Sequence, residues 1–300
     1  MKNSRKKQNS PLSKLSQNNE KPDSSEPALN KTEIFKIKQG RWRIYDATDG
    51  LYGSPNLLLQ DRDGYLWIGT NVGLCRYDGL EFITYTTKDG LNGNNVLSLC
   101  LDSQGRLWIG TKNGLSCFDG REYTNYTTDK GLPGNRASAI CLDKQGNLWI
   151  GTENGLSCFD GKEFINYTTA DGLIDNNVSA ICPSNQGGIW IGGRKGISRF
   201  DGQEITTLTK DISPWHGRAM CEDSQGRVWI LGGNNIKGVS CFDGKRFKIY
   251  APDDVSGETQ NFLSMCIDRY DRIWFGGSVG GVICLDKGKF INYTTREIIP

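Results

Sequence analysis

His216 is the only histidine in this sequence of 300 residues. A single imidazole excludes a metal site built on several histidines, and a Ser-His-Asp arrangement would depend on this one residue. It lies in PWHGR (214–218), which interrupts the DGLxxNxV loop found at equivalent places in the chain. A loop that breaks its own pattern is a place for a special role. The alternative interpretation is an ordinary exposed loop histidine.

The ten cysteines follow a pattern rather than forming pairs, and no CxxC motif stands in the chain. Five of them lie eight residues before a tryptophan: Cys100, Cys141, Cys182, Cys221 and Cys266. Four share a second position: Cys117, Cys158, Cys241 and Cys284. We interpret them as small buried apolar side chains in a reducing cytoplasm, with disulfide or metal roles as the alternative. No cofactor and no metal site is predicted.

The elements that would position any site repeat along the chain. Trp67, Trp108, Trp149, Trp190, Trp229 and Trp274 follow one another at steps of 41, 41, 41, 39 and 45 residues. A fixed period in this range is typical of stacked supersecondary units. In the second copy we place strands at 95–102, 106–111, 114–119 and 122–128, separated by the turn signals DSQG, KN and DG.

A period of about 40 residues with four strands per unit is typical of a β-propeller. The sequence therefore predicts an all-β fold of four-stranded antiparallel blades. Six complete modules are present, and 33–51 resembles a further strand pair, so we favour six blades with this N-terminal strand docked on the last blade. The alternative is an incomplete seven-bladed ring. We assign 1–32 to a disordered polar, basic tail and 33–300 to the propeller.

Composition excludes several classes of protein. Net charge is +2, and residues 1–40 hold nine Lys/Arg and four Asp/Glu, which leaves 27 basic and 30 acidic side chains in the rest. This balance gives no electrostatic footprint for nucleic acid. No segment is long and apolar enough to cross a bilayer, and MKNSRKK lacks the apolar stretch of a secretory signal. We therefore expect a cytoplasmic, bacterial protein without membrane contact.

The modules resemble a known family, the two-component regulator propeller repeat. Its G-x-LWIGT-x-x-GL core, aromatic strand and DGL turn stand here as GYLWIGTNVGLCRYDGLEFITYTTKDGL (64–91), and the likeness covers 41–295. Later modules match this pattern less closely, and the fourth has Ile205 and Leu208 in place of the aromatic pair. The resemblance implies a sensory or ligand-binding propeller, in that family usually the extracytoplasmic input of histidine-kinase hybrids that respond to glycans. Because we see no kinase, receiver or helix-turn-helix segment, signalling output is expected to come from a partner protein or to be absent.

A ligand site is predicted where the loops from the fourth strand to the next module, and from the second to the third strand, emerge together. The candidates are Asn94, Asn95, Asn135, Arg136, Asn176, Asn177, Trp215, His216 and Arg218, with Lys112, Glu153, Arg194, Asn234 and Asn235. Amides and guanidinium groups beside an aromatic ring suit a polar small molecule or a glycan. The alternative is that the asparagines only shape turns.

Three functions remain open at this point. We favour a non-catalytic, monomeric sensor propeller that binds a polar ligand. The second hypothesis is a scaffold for protein interaction. The third is an enzyme: streptogramin lyases are propellers with a similar repeat and a histidine base, so a lyase would rest on His216.

Overall fold

In a computed structural model of the chain, the described residues are 45–209, 219–231, 239–250, 262–277 and 282–293. They form six four-stranded antiparallel sheets, each made of four consecutive strands in the order of the sequence. These sheets are the blades of a six-bladed β-propeller, numbered 1 to 6 along the chain. The predicted fold class is confirmed.

Each blade contains strands A to D, from the innermost to the outermost. Strand A is β1 (Pro55–Gln60), β5 (Val96–Leu101), β9 (Ala139–Leu142), β13 (Val178–Pro183), β17 (Ala219–Glu222) and β21 (Phe262–Ile267). Strand B is β2 (Leu66–Thr70), β6 (Leu107–Thr111), β10 (Leu148–Thr152), β14 (Ile189–Gly193), β18 (Val228–Leu231) and β22 (Ile273–Gly277). Strand C is β3 (Leu74–Tyr77), β7 (Gly114–Phe118), β11 (Gly155–Phe159), β15 (Gly196–Phe200), β19 (Val239–Phe242) and β23 (Val282–Asp286). Strand D is β4 (Phe82–Tyr85), β8 (Tyr123–Tyr126), β12 (Phe164–Tyr167), β16 (Ile205–Thr209), β20 (Phe247–Tyr250) and β24 (Lys289–Tyr293).

Short 3₁₀ turns follow strand D in the first three blades, at Thr87–Asp89, Thr128–Lys130 and Thr169–Asp171. The sequence analysis did not predict them. Each ends at a glycine of positive φ, such as Gly90 at 105°. This backbone conformation favours glycine, which explains the DGL turn.

The strand register explains why cysteines repeat with the tryptophans. In blade 2, Trp108 on strand B lies directly opposite Cys100 on strand A and Cys117 on strand C. Trp108 is 2% exposed. The cysteines at these two positions are therefore small cross-strand neighbours of the tryptophans. Most of the ten are buried, as predicted from the sequence, but Cys266 is exposed.

Aromatic rings pack each blade onto the next. The Trp108 ring lies 6.0 Å from Tyr126 of its own blade and 5.8 Å from Phe159 of blade 3. Leu148 and Ile150 of blade 3 belong to the same buried cluster. These rings bury large apolar areas between sheets, so inter-blade packing is the main source of stability in this fold.

Gly110 also serves the contact between blades. A Cβ at this position would overlap the Ser98 hydroxyl of its own blade and the Ala137 carbonyl oxygen of blade 3. The missing side chain thus permits the close approach of a neighbouring backbone, the role predicted for the glycines that follow WI.

The N-terminal end of the described chain packs on blade 1. The Tyr45 ring lies 5.3 Å from both Tyr77 and Phe82. Its hydroxyl and that of Tyr77 are 2.8 Å apart. The strand expected to dock on the last blade was placed within 33–51. Residues 33–44 lie outside the described residues, as does the tail at 1–32, and 45–51 form a turn rather than a strand.

Candidate functional site

Two sets of loops meet at one end of the strands. Because strands alternate in direction, the loops from D to the next A and from B to C leave a blade at the same end. We call this surface the loop face. Among the described residues of blades 2 to 4 it comprises 92–95, 133–136 and 174–177 from the D-to-A loops, and 112–113, 153–154 and 194–195 from the B-to-C loops.

Hydrogen bonds join the two loops at blade 2. The Asn92 side chain donates from Nδ2 to the carbonyl oxygen of Asn113 over 3.0 Å. The backbone N–H of Lys112 donates to the carbonyl oxygen of Asn95 over 3.2 Å. The predicted proximity of Asn95 and Lys112 is therefore present in the structure.

At blade 3 a carboxylate makes the same connection. Glu153, in the B-to-C loop, accepts the backbone N–H of Asn135 at 3.2 Å and that of Arg136 at 2.8 Å. Arg136 also donates from Nε to the Ser138 hydroxyl over 3.3 Å. Glu153 thus holds the loop in place, and both of its oxygens are occupied by backbone donors.

At blade 4 the carboxylate comes from the opposite loop. Asp175 accepts the backbone N–H of Arg194 at 3.0 Å and that of Asn177 at 3.1 Å. The sequence analysis missed Asp175 and Asn92. A signal was available for Asp175, because it replaces the glycine at the corresponding place in the two preceding loops, Gly93 and Gly134.

Three of the predicted asparagines shape turns. Their Oδ1 atoms accept the first backbone N–H of the preceding 3₁₀ turn, at 2.8 Å for Asn94 and Thr87, 2.9 Å for Asn135 and Thr128, and 2.7 Å for Asn176 and Thr169. This geometry matches the turn-shaping alternative for these side chains.

Basic side chains remain at the surface of the loop face. Lys112, Arg136 and Arg194 are exposed, and they come from the loops of blades 2, 3 and 4 in succession. Asn95 and Asn177 are half-buried beside them. The other predicted residues, Trp215, His216, Arg218, Asn234 and Asn235, lie outside the described residues.

The described part of the chain offers no cluster for a metal ion, since it holds no group of three His, Cys, Asp or Glu side chains with suitable spacing. All ten cysteines are free thiols. Burial raises the pKa of Cys100 to about 11 and that of Cys158 to about 12. Thiols with such pKa values are protonated at neutral pH and are poor nucleophiles.

Sequence comparison identifies the repeat. The model of the two-component regulator propeller matches residues 51–72, 90–113, 131–154 and 172–195. Each match from the second onward runs from a DGL-type turn through strands A and B of one blade. Among curated proteins, no sequence matches this chain.

Solved structures share the fold at low sequence identity. The extracellular domain assigned to the hybrid two-component system BT3049 of B. thetaiotaomicron superposes with a TM-score of 0.71 and 22% identity, over 85% of this chain and 37% of that one. The extracellular domain assigned to the one-component system BT4673 of the same organism gives 0.68 and 21%, over 83% and 38%. Virginiamycin B lyase from Staphylococcus aureus gives 0.67 and 13%, over 82% and 86%.

The chain spans little more than a third of the length of the two sensor structures. Because those structures are extracellular domains, the comparisons do not support the expected cytoplasmic location. Within the described residues, no helix has the length and apolar character needed to span a bilayer. The first four blades thus carry repeats that match the two-component regulator propeller model, on a six-bladed propeller fold.

Proposed function

We propose that the chain is a non-catalytic sensor propeller that binds a polar ligand at the loop face. The observation that carries the proposal is the arrangement at blades 2 to 4. Backbone and carboxylate groups bond to one another between the loops, while the side chains of Lys112, Arg136 and Arg194 stay exposed. Fixed loops that present exposed polar side chains are pre-organised for binding. The sensor domains of similar fold support the sensory role.

The charges of the loop face favour one class of ligand. The carboxylates of Glu153 and Asp175 are occupied by backbone N–H groups. The exposed cations therefore dominate the chemistry available to a ligand, with the Asn95 and Asn177 amides beside them. This combination suits a carbohydrate that carries acid groups, because guanidinium and ammonium groups bind carboxylates or sulfates and amides bind hydroxyls.

The experiment is a binding screen against uronic-acid-containing oligosaccharides, with neutral oligosaccharides of the same linkage for comparison. The wild-type chain is compared with the variant K112A/R136A/R194A. Its matched control is R121A/K162A/K245A, which removes the same charge from the C-to-D turns at the other end of the blades. We expect acidic oligosaccharides to bind the wild type and the control, with loss of binding in the loop-face variant. Equal binding by all three proteins, or no binding by the wild type, would contradict the proposal.

A second function has one specific observation in its favour. The structure of YCF48 bound to D1 peptide shares the fold, with a TM-score of 0.58 and 15% identity. A propeller of this kind thus takes a peptide in that protein, and a signalling partner of this chain could bind in a comparable way. Affinity capture with the same two triple variants separates this function from carbohydrate binding, since a protein partner would be retained in the absence of any sugar.

A further inference from the structure

The outer rim between blades 3 and 4 departs from the repeat. At earlier junctions the tyrosine of one strand D packs on an aromatic ring that begins the next strand D. The ring centroids are 6.5 Å apart for Tyr85 and Tyr123, and 5.5 Å for Tyr126 and Phe164. Tyr45, which precedes blade 1 and lies in no strand, packs on Phe82 at 5.3 Å. At the fourth blade Ile205 takes the place of this ring.

The smaller side chain of Ile205 leaves a cleft beside Tyr167. Its volume is about 370 Å³, and it is lined by Tyr167, Asp171, Phe200, Gln203, Glu204 and Ile205. The rings of Tyr167 and Phe200 lie 5.5 Å apart at its floor. This volume falls within the range of small-ligand sites.

The equivalent position in blade 2 shows what such a tyrosine accepts. The ammonium group of Lys130 lies 5.8 Å from the centre of the Tyr126 ring and donates to the Asn125 carbonyl oxygen over 2.7 Å. Lys248 makes a similar contact with Tyr250 in blade 5, at 4.5 Å. The chain thus places its own lysine ammonium groups over tyrosines of strand D.

In blade 3 the charge at this position is reversed. Asp171 stands where blade 2 has Lys130, and the exposed Glu204 adds a second carboxylate across the cleft. One oxygen of Asp171 accepts the N–H and hydroxyl of Thr168. Among the described residues, neither carboxylate has an ion-pair partner and no cation lies over Tyr167.

We propose that this cleft binds a primary ammonium group from outside the chain, with the ring of Tyr167 beneath it and the carboxylates of Asp171 and Glu204 beside it. An ammonium group gains from both contacts, since the ring quadrupole and the two negative charges attract it. A lysine side chain of a peptide and a free alkyl diamine carry this group. The site uses none of the loop-face residues, so it is independent of the proposed function.

The test is an NMR titration of the full chain with three probes. They are a tripeptide with a central lysine, the same tripeptide with norleucine, and 1,5-diaminopentane. We expect the lysine peptide to shift the backbone signals around Tyr167 and Glu204, and the norleucine peptide to leave them unchanged. Binding of the diamine as well would show that the ammonium group suffices. Binding of the lysine peptide alone would assign the site to polypeptides.

Two variants make the test specific. Ile205→Phe restores the ring found at the earlier junctions and should abolish binding without unfolding the blade. Glu204→Gln removes one charge and should weaken binding about fivefold. Ile249→Phe, on the exposed face of blade 5, adds the same ring elsewhere and should bind like the wild type. Failure of both amines to bind, or binding that persists unchanged in Ile205→Phe, would overturn the proposal.

Discussion

The indole Nε1 of Trp108 donates a 3.0 Å hydrogen bond to Oδ2 of Asp102. The same oxygen accepts Arg106 Nε at 2.6 Å, and Oδ1 accepts the backbone N–H of Gln104 and Arg106. Burial would raise the pKa of Asp102, but the bonds from the Trp108 indole and from Arg106 outweigh it and lower the pKa below its ordinary value of 3.8. One carboxylate thus ties the A-to-B turn to the central ring of its blade.

Replacing this carboxylate should cost stability in a pH-dependent way. Because the folded-state pKa of Asp102 is lowered, its ionised form stabilises the fold above the unfolded-state pKa, and this contribution is lost as the pH falls through the folded-state value. We expect Asp102→Asn to lower the free energy of unfolding by about 2 kcal/mol at pH 7. The difference from wild type should shrink below about pH 4. Urea unfolding of both proteins at pH 7 and at pH 3 measures this difference in the free energy of unfolding.

Glu122→Gln serves as the control for Asp102→Asn, because Glu122 is exposed and its carboxylate holds no described hydrogen bond. It should leave the free energy of unfolding unchanged at both pH values. An equal loss for Asp102→Asn at pH 7 and pH 3 would contradict the role given to the charge.

Blade 4 lacks this carboxylate. Ser184 stands at the aspartate position, and the buried Nε1 of Trp190 has no hydrogen-bond partner in the described structure. Glu222 of blade 5 instead bonds the N–H of Asn185 at 2.6 Å. Ser184→Asp alone would place two carboxylates together, so we expect little gain from it.

The combination Ser184→Asp with Glu222→Leu restores the pattern at the junction of blades 2 and 3, where blade 2 has Asp102 and blade 3 has Leu142 at the position of Glu222. It should be more stable than Glu222→Leu alone by about 1 kcal/mol, since Trp190 Nε1 gains a partner. Thermal unfolding of the four proteins in this cycle measures the difference. A double variant no more stable than Glu222→Leu would show that the aspartate contributes nothing in this blade.

Gly110 and Gly276 occupy equivalent positions with different surroundings. A Cβ at Gly110 would overlap the Ala137 carbonyl oxygen of the next blade. At Gly276 it would meet, among the described residues, only the Ser264 hydroxyl, at 2.7 Å. We expect Gly110→Ala to lower the free energy of unfolding by about 1–3 kcal/mol and Gly276→Ala to lower it less. Equal losses in denaturant unfolding would argue against close backbone approach as the reason for Gly110.

Cysteine reactivity should differ sharply along the chain. Cys266 is exposed, whereas burial raises the pKa of Cys182 to about 12 and keeps its thiol out of solvent. Brief alkylation of the folded protein at pH 8 should modify Cys266 first, and Cys266→Ser should remove the fast phase. Mass spectrometry of the peptides measures the rate of alkylation at each cysteine. Early modification of Cys182 would contradict the burial that the fold implies.

The period of the tryptophans was sufficient to predict the blades, because each tryptophan fills the same place between sheets. For Trp108 even the neighbouring strands were placed within one or two residues. The partners of the tryptophans were harder to predict. Arg106 lies over Trp108 in blade 2, but in blade 4 the cation over Trp190 is Arg199, from strand C. Which strand supplies the cation over a tryptophan can be seen only when the strands are brought together in space.

That the D-to-A and B-to-C loops meet could be predicted, since it follows from alternating strand directions. The roles of the site's side chains could not be predicted. Asn94 has the same residue type as Asn95, yet only Asn94 bonds to the 3₁₀ turn before it. That difference depends on the backbone geometry of a turn that the strand pattern does not specify.

Hydrogen–deuterium exchange with and without the tightest-binding acidic oligosaccharide from the screen tests the central claim most directly. We predict slower exchange at 92–95, 112–113, 133–136, 153–154, 174–177 and 194–195 in the presence of the sugar, with no change at the C-to-D turns such as 119–122. Protection confined to the C-to-D turns, or absent from all of these loops while the sugar is bound, would contradict a ligand site on the loop face.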